Sequence, residues 1–332
     1  MFMEQSYYIF SNGQLHRKDN SLQLCREDGN HKDIPIERVK DIYIFSEMTV
    51  NTKLLDFLAQ NGIMVHFFNY YEFYTGSFCP REKHVSGSLL VKQVEYYTDK
   101  EKRLEIAKEF ILGAYDNIYR NLRYYNSRGK DVSATMDEIT ALSTHIPYCQ
   151  DVQELMGIEG NIRKAYYRAW DTIIDTEINF EKRTKRPPDN MINTLISFVN
   201  SVIYTKVLSE IYKTQINPTI SYLHEPSVKR FSLALDIAEI FKPLLADRLI
   251  FSLLNKKIID ESDFEQELDY IRMKDSVAKK IMEALDTRLK TSIKHRTLNR
   301  EVSYQHLMRL EVYKIIKHLM GDEKYKAFRI WW

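Results

Sequence analysis

The sequence predicts an α+β protein, with a small N-terminal β-rich domain followed by a larger all-α C-terminal domain. Three observations lead there. Residues 7 to about 85 carry short apolar runs cut by turn residues. Beyond about residue 89 the apolar positions recur at helical spacing instead. Alternating strand–helix units are absent, so the two kinds of element segregate. A chain of 332 residues is long enough for two domains. The expected division is 1–85 for a β-rich domain, 86–90 for a linker and 91–332 for a helical domain.

Tyr7–Phe10 reads as the first strand, ended by a turn at Ser11–Gly13. Gln14–Lys18 follows, Asp19 and Asn20 turn the chain, and Ser21–Arg26 alternates through Leu22 and Leu24. After a turn at Glu27–Asn30 come Ile34–Ile36 and Val39–Phe45. Pro35 has no N–H to give a ladder, which places its strand at a sheet edge. Asn51–Asn61 reads as a short helix, with Leu54, Leu55, Leu58 and Ala59 inward and Gly62 as its stop. Ile63–Phe68 is a buried strand and Phe73–Phe78 the last one. His66 lies in an apolar strand and reads as a packed, hydrogen-bonded core histidine.

Ser86, Gly87 and Ser88 suit a linker. Thr98–Glu101 has the pattern of a capping box and opens a helix through about Tyr125. Its apolar face includes Leu104, Ala107, Phe110, Ile111 and Ala114. A shorter helix is expected at Thr135–Leu142, and Asp151 starts the helix that carries Glu159. Arg183–Asn190 is a polar loop stiffened by prolines. It feeds a helix from Met191 to about Thr214 whose nearly continuous apolar centre implies burial on most sides. Later helices are expected at Leu249–Leu254, Ser262–Met273, Ala278–Ser292 and Tyr304–Met320.

Hydrophobic content of 44% with 28% charged residues is ordinary for a soluble globular protein. The net charge of +2 does not announce a nucleic-acid partner, so any such argument rests on local clustering. Cys25, Cys79 and Cys149 are scattered and odd in number, which suits reduced thiols rather than a disulfide framework. The N-terminus has no basic region of a secretory signal. No run approaches the roughly 18 apolar residues of a membrane span. A cytoplasmic protein without a membrane partner is expected.

The segment from Ser221 to Arg248 concentrates the chemistry. A loop carries His224 and the basic pair Lys229 and Arg230; an amphipathic helix then carries Asp236 and Glu239. Residues three apart share a helix face, so both carboxylates point the same way, bordering the stripe of Leu233, Ile237, Ile240, Phe241 and Leu244. Such a set can hold a hard divalent cation, or can be a core histidine with two solvated acids. Glu159 is flanked by Gly157 and Gly160, which suggests something packed close to that backbone. An inward glutamate needs a partner, and a salt bridge to a nearby arginine would serve.

Basic residues gather near these positions: Arg163, Lys164 and Arg168 after Glu159, then Arg183, Lys185 and Arg186 in the proline loop. Lys229 and Arg230 precede the Asp236 helix and Arg248 follows it. A further run includes Arg288, Lys290, Lys294, His295, Arg296 and Arg300. Singly these are solvated charges; together they suit a surface that binds DNA phosphates without reading sequence. The pair Trp331 and Trp332 reads as a packing or docking element, with base stacking as the weaker alternative.

Three blocks, in this order, carry a family resemblance: LMGIEGNIRKAYY from Leu155, RPPDNMIN from Arg186, and HEPSVKRFSLALDIAEIFKP from His224. The chain resembles the CRISPR-associated adaptation integrases, in particular the branch beside type I systems. The resemblance implies a metal-dependent DNA integrase and endonuclease that inserts spacers into a CRISPR array. In that reaction a 3′-hydroxyl of incoming DNA attacks a phosphodiester at a repeat end. It implies catalytic and metal-binding roles for Glu159, His224 and Glu239, with Asp236 either joining the metal or orienting a ligand. Imidazole plus carboxylates without thiolates favours Mg²⁺ or Mn²⁺. The partners implied are double-stranded and branched DNA, a second copy forming a homodimer through residues 1–85, and a small adaptation protein bridging two dimers. Ser46 and Glu72 stand in turns where the family often has glycine. The alternatives are a non-catalytic helical nucleic-acid-binding scaffold, with the acids and imidazole as a buried polar network, and an unrelated metal-dependent nuclease.

Overall fold

The computed structural model describes residues 4–81, 84–176, 178, 180, 183–184, 188–226, 231–267 and 270–331. The chain divides into two units. The first comprises the described residues of Met1–Lys83 together with Asp275–Asp286; the second comprises those of His84–Lys274 and Thr287–Trp332.

The first unit begins with β1 (Gln5–Ile9), β2 (Gly13–Lys18), β3 (Ser21–Arg26), β4 (His31–Pro35), β5 (Val39–Ile44) and β6 (Met48–Val50). It continues with α1 (Thr52–Gln60), β7 (Met64–Phe68) and β8 (Tyr74–Phe78). One four-stranded sheet has the order β4-β3-β2-β6, so Pro35 sits on an edge strand as its missing N–H requires. The other has the order β1-β5-β7-β8. β1, β5 and β7 are parallel neighbours, and α1 lies on the crossover between β5 and β7. This parallel unit departs from the expected absence of strand–helix alternation; the helix is legible in the sequence, but which strands pair across it is not.

Leu15, Leu22, Ile42, Leu54, Leu58 and Val65 are buried in one apolar cluster. Asn51 caps α1 by accepting the Leu54 N–H at 2.9 Å. Gly13 has φ +149°, and a Cβ there would meet the Cys25 carbonyl oxygen at 2.1 Å. His66 is fully buried with Nδ1 2.7 Å from Ser77 Oγ, a packed core histidine as expected. Glu72 has φ +61°, a left-handed turn conformation that glycine adopts without strain.

The second unit opens with α2 (Gly87–Thr98), α3 (Lys100–Asn126), α4 (Ser133–Ser143), α5 (Val152–Arg168) and α6 (Trp170–Ile173). The small residues expected as a linker instead start α2, because Ser86 Oγ accepts the Leu89 N–H. Thr98 ends that helix, and Asp99 rather than Thr98 caps α3 through the N–H groups of Glu101 and Lys102. Next come α7 (Met191–Tyr212), α8 (Ser232–Lys242) and α9 (Arg248–Asn255). α7 is long and apolar enough to cross a membrane, but 89% of that stretch is buried within the unit as a core helix.

The expected helix at 262–273 is a hairpin of β9 (Phe264–Glu267) and β10 (Tyr270–Met273). A short segment of mixed polarity fits either period, and here a tertiary bond from Thr194 Oγ1 to the Ile271 carbonyl helps fix it. α10 (Asp275–Lys290), the hairpin of β11 (Ser292–His295) and β12 (Arg300–Ser303), and α11 (Tyr304–Met320) complete the elements. The C-terminal unit is therefore mostly helical rather than all-α. Residues Asp275–Asp286 of α10 group with the first unit, where Tyr8 OH donates to Asp286 Oδ1 at 3.2 Å.

A π-type turn at Pro243–Asp247 joins α8 to α9. Backbone carbonyls in this irregular turn need other donors. Buried Asn117 and Asn121 of α3 supply two, donating to the carbonyls of Ile240 at 2.9 Å and Pro243 at 2.6 Å. Asn117 also binds the C-terminal segment at the Phe328 carbonyl and the Ile330 N–H. Trp331 packs edge-on against Phe328 there, and Trp332 lies outside the described residues.

Candidate acidic and cationic site

α8 is buried nearly all round, so its polar residues need partners from neighbouring segments. Asp236 is fully buried. Its Oδ2 accepts the N–H groups of Tyr222 and Leu223 at 2.7 and 2.9 Å. Its Oδ1 accepts the His224 N–H at 3.0 Å and lies 2.8 Å from His224 Nδ1. A carboxylate only accepts, so Nδ1 is the donor and Nε2 is the ring nitrogen Asp236 does not use. Both Asp236 oxygens are committed to the 222–224 segment, so this carboxylate holds the loop and the imidazole in place. Burial pushes the His224 pKa down, but the hydrogen bond and charge of Asp236, with Glu239, outweigh burial and raise it.

Glu239 lies one turn further along α8. Its Oε2 accepts from the Arg163 guanidinium and its Oε1 from Lys242 Nζ. Burial favours the neutral acid, yet Lys242, Arg163 and His224 outweigh burial and hold the pKa down at about 2. Arg163 also donates from Nε to Glu159 Oε1 at 3.1 Å, one turn back on α5. Burial opposes the guanidinium charge, while Glu239, Tyr167, Glu159 and Asp247 favour it and raise the Arg163 pKa.

Asp247, at the end of the π-type turn, is buried beside this group. Burial raises its pKa to about 7 against the opposing pull of Arg163, Tyr166 and Lys242. Glu159, Arg163, Lys164, Tyr167, Arg168, Phe180, Arg183, Asn200, Glu239 and Lys242 line one cavity of about 440 Å³. Its wall carries more cations than acids, so it suits a polyanion.

The structure thus brings Glu159 and Glu239 together through Arg163, and His224 sits close enough to Glu239 for each to shift the other's pKa. Among the described residues, no three His, Cys, Asp or Glu side chains are grouped to hold a metal ion. Arg163 and Lys242 take the oxygens of Glu239 as ion pairs. Nothing lies within 4 Å of a Cβ built at Gly157 or Gly160, which corrects the expectation of close packing there. Gly160 instead leaves space on the cavity wall.

Of the expected DNA-binding residues, Arg163, Lys164, Arg168 and Arg183 line the cavity. Arg168 also pairs with Glu138 at 2.6 Å, and Arg183 binds Asn193 Oδ1 at 3.0 Å and Ser197 Oγ at 2.8 Å. Arg248 is not on the cavity wall; its guanidinium lies 4.7 Å from the Tyr124 ring centre. Lys185, Arg186, Lys229 and Arg230 lie outside the described residues. The sequence reading missed Lys242, Tyr167, Asn200 and Asp247. The three-residue spacing of Lys242 from Glu239 was the available signal for the first.

The chain matches the family described as CRISPR associated protein Cas1 over residues 7–287. It is similar to the CRISPR-associated endonuclease Cas1 of Fusobacterium nucleatum, 60% identical over 330 residues, covering 99% of this chain and 98% of that one. Among solved structures it is similar to the Cas1 protein of Thermotoga maritima, with a TM-score of 0.88 at 40% identity, covering 98% and 99% of the two chains. Two others share the fold. A casposase bound to integration product gives a TM-score of 0.86 at 20% identity, covering 100% of this chain and 96% of that one. A chain of a Cas6-RT-Cas1–Cas2 complex gives 0.85 at 17%, covering 99% of this chain and 36% of that one.

Proposed function

The chain belongs to the Cas1 family, and from that premise we propose that it is a metal-dependent DNA endonuclease and integrase of CRISPR spacer acquisition. One observation carries the reading: Glu159 of α5 and Glu239 of α8 meet on Arg163 in a cavity otherwise rich in Lys and Arg. Acids that can hold a cation and cations that can hold phosphate share one wall.

The donor set suits Mg²⁺ or Mn²⁺: hard carboxylate oxygens, one imidazole and no thiolate. Glu159, Glu239 and Nε2 of His224 would hold the ion, which when bound polarises the scissile phosphate and stabilises the leaving oxygen. Asp236 fixes the ring and backbone of His224, so the imidazole is oriented before substrate arrives. Lys164, Arg168 and Arg183 would contact phosphate oxygens and place the strand without reading its bases. In strand transfer a 3′-oxygen of the incoming DNA forms a bond to phosphorus at a repeat end. The bond to the neighbouring 3′-oxygen breaks, and no covalent enzyme intermediate forms. With water in place of the 3′-hydroxyl the same site would act as a nuclease.

Two ends of one incoming duplex must each meet a site, so we infer a homodimer joined through residues 1–85. A small second adaptation protein bridging two dimers completes the assembly. We place the protein inside the cell, in the cytoplasm with the DNA, and read its motif blocks as the branch beside type I systems.

A second reading, a non-catalytic nucleic-acid scaffold, is favoured by the ion pairs that occupy Glu239. The deciding experiment is Glu239→Gln, assayed for duplex binding and for strand transfer into a repeat-bearing plasmid with Mg²⁺ or Mn²⁺. Retained binding with strand transfer lower by orders of magnitude supports the integrase. Wild-type integration by a folded Glu239→Gln chain would overturn the role of Glu239, and duplex binding with no strand transfer even by the wild type would leave the scaffold.

A further inference from the structure

Arg163 and Lys242 do more here than add positive charge to a DNA surface. Both oxygens of Glu239 are taken, one by each cation. Arg163 spans to Glu159 as well, so one guanidinium clamps acids from two helices. The side chains of Arg163, Lys242 and Glu239 are 12%, 14% and 12% exposed, so these pairs are poorly screened by water. Two acids against two cations make the group neutral.

Neutrality has a consequence for binding. A divalent cation taking the same carboxylates must compete with the guanidinium and the ammonium for their oxygens. If it succeeds, both side chains lose their partners at the wall of the cavity that they share with Lys164 and Arg183. The site then goes from neutral to strongly positive, which a phosphate would answer.

We propose that Arg163 and Lys242 are built-in counterions of the Glu159–Glu239 pair, which yield these carboxylates to a divalent cation and turn to substrate phosphate. Metal and DNA would then bind cooperatively, each favouring the arrangement the other needs. This rests on the metal reading above, and it adds the claim that two cations of the chain stand in the metal's way.

The test is Mn²⁺ binding without DNA, read from the electron paramagnetic resonance of free Mn²⁺. The proteins are the wild type, Arg163→Gln, Lys242→Gln and Glu239→Gln, each checked for folding by circular dichroism. Removing a competing charge should tighten Mn²⁺ binding by about tenfold, since one fewer cation contends for the Glu239 oxygens. Duplex DNA should also raise the Mn²⁺ affinity of the wild type, and less so that of Lys242→Gln. Unchanged or weaker Mn²⁺ binding in the folded variants would overturn the proposal. Lys242→Gln keeps the test open if Arg163→Gln does not fold, since the lysine touches one acid rather than two. The premise has its own control: wild-type Mn²⁺ binding that Glu239→Gln does not weaken defeats the metal reading itself. Binding that needs Glu239 but ignores Arg163 and Lys242 defeats only the counterion proposal.

Discussion

His224 Nδ1 lies 2.8 Å from Asp236 Oδ1, and the same carboxylate accepts the backbone N–H groups of Tyr222, Leu223 and His224. One buried acid therefore sets both the loop and the imidazole. Asparagine keeps the shape but has one acceptor oxygen, and its amide turns donors toward donors. We expect Asp236→Asn to destabilise the fold by about 3 kcal/mol, from buried donors left unpaired. Strand transfer should fall even in chains that remain folded. Urea unfolding beside an integration assay checks both, and an Asn variant with wild-type stability would contradict the clamp.

The cavity separates two classes of basic residue. Lys164 and Arg183 line it and Arg248 does not. Lys164→Ala or Arg183→Ala should weaken DNA binding whatever the sequence. Each should also flatten the salt dependence by a slope of about 0.9 per lost phosphate contact. Arg248→Ala should leave that slope unchanged. A salt titration of duplex binding reads all three, and a flattened slope for Arg248→Ala alone would misplace the surface.

Asp247 gives a pH signature. Its pKa is raised from 3.8 to about 7, chiefly by burial, so the folded chain holds a proton there that the unfolded chain releases. Its contribution to stability is full below pH 3.8 and is lost as pH rises through about 7. Asp247→Asn should therefore gain on the wild type across that window, by a few kcal/mol at about pH 8. Unfolding in chelator at several pH values measures it; parallel pH profiles would exclude it.

The C-terminal segment is part of the helical core. A Cβ at Gly113 would lie 2.7 Å from Ala327 Cβ and 3.4 Å from the Phe328 carbonyl oxygen. Gly113→Ala should destabilise the protein by about 1–3 kcal/mol through overpacking, despite the better helix propensity of alanine. Denaturant unfolding decides the sign.

Assembly is testable directly. A homodimer is expected at micromolar concentration by sedimentation. A monomer there would count against two linked sites.

Local sequence determined much of this protein. Turn residues cut residues 7–78 into strands, helical spacing of apolar residues marked α3 and α8, and a nearly continuous apolar run marked α7. The three-residue spacings put Asp236, Glu239 and Lys242 on one side of α8, because a helix face follows from spacing alone. Family motifs then pointed to Glu159, His224 and Glu239. Tertiary structure decided the partners. No spacing says that Arg163 of α5 reaches Glu239 of α8, or that Asp236 turns to the 222–224 backbone. It also decided the parallel pairing of β1, β5 and β7, and the hairpin where a helix was expected. The physical reason is common to all of these. A pattern along the chain fixes which way a side chain faces, whereas the charge or donor it meets belongs to a segment folded in from elsewhere.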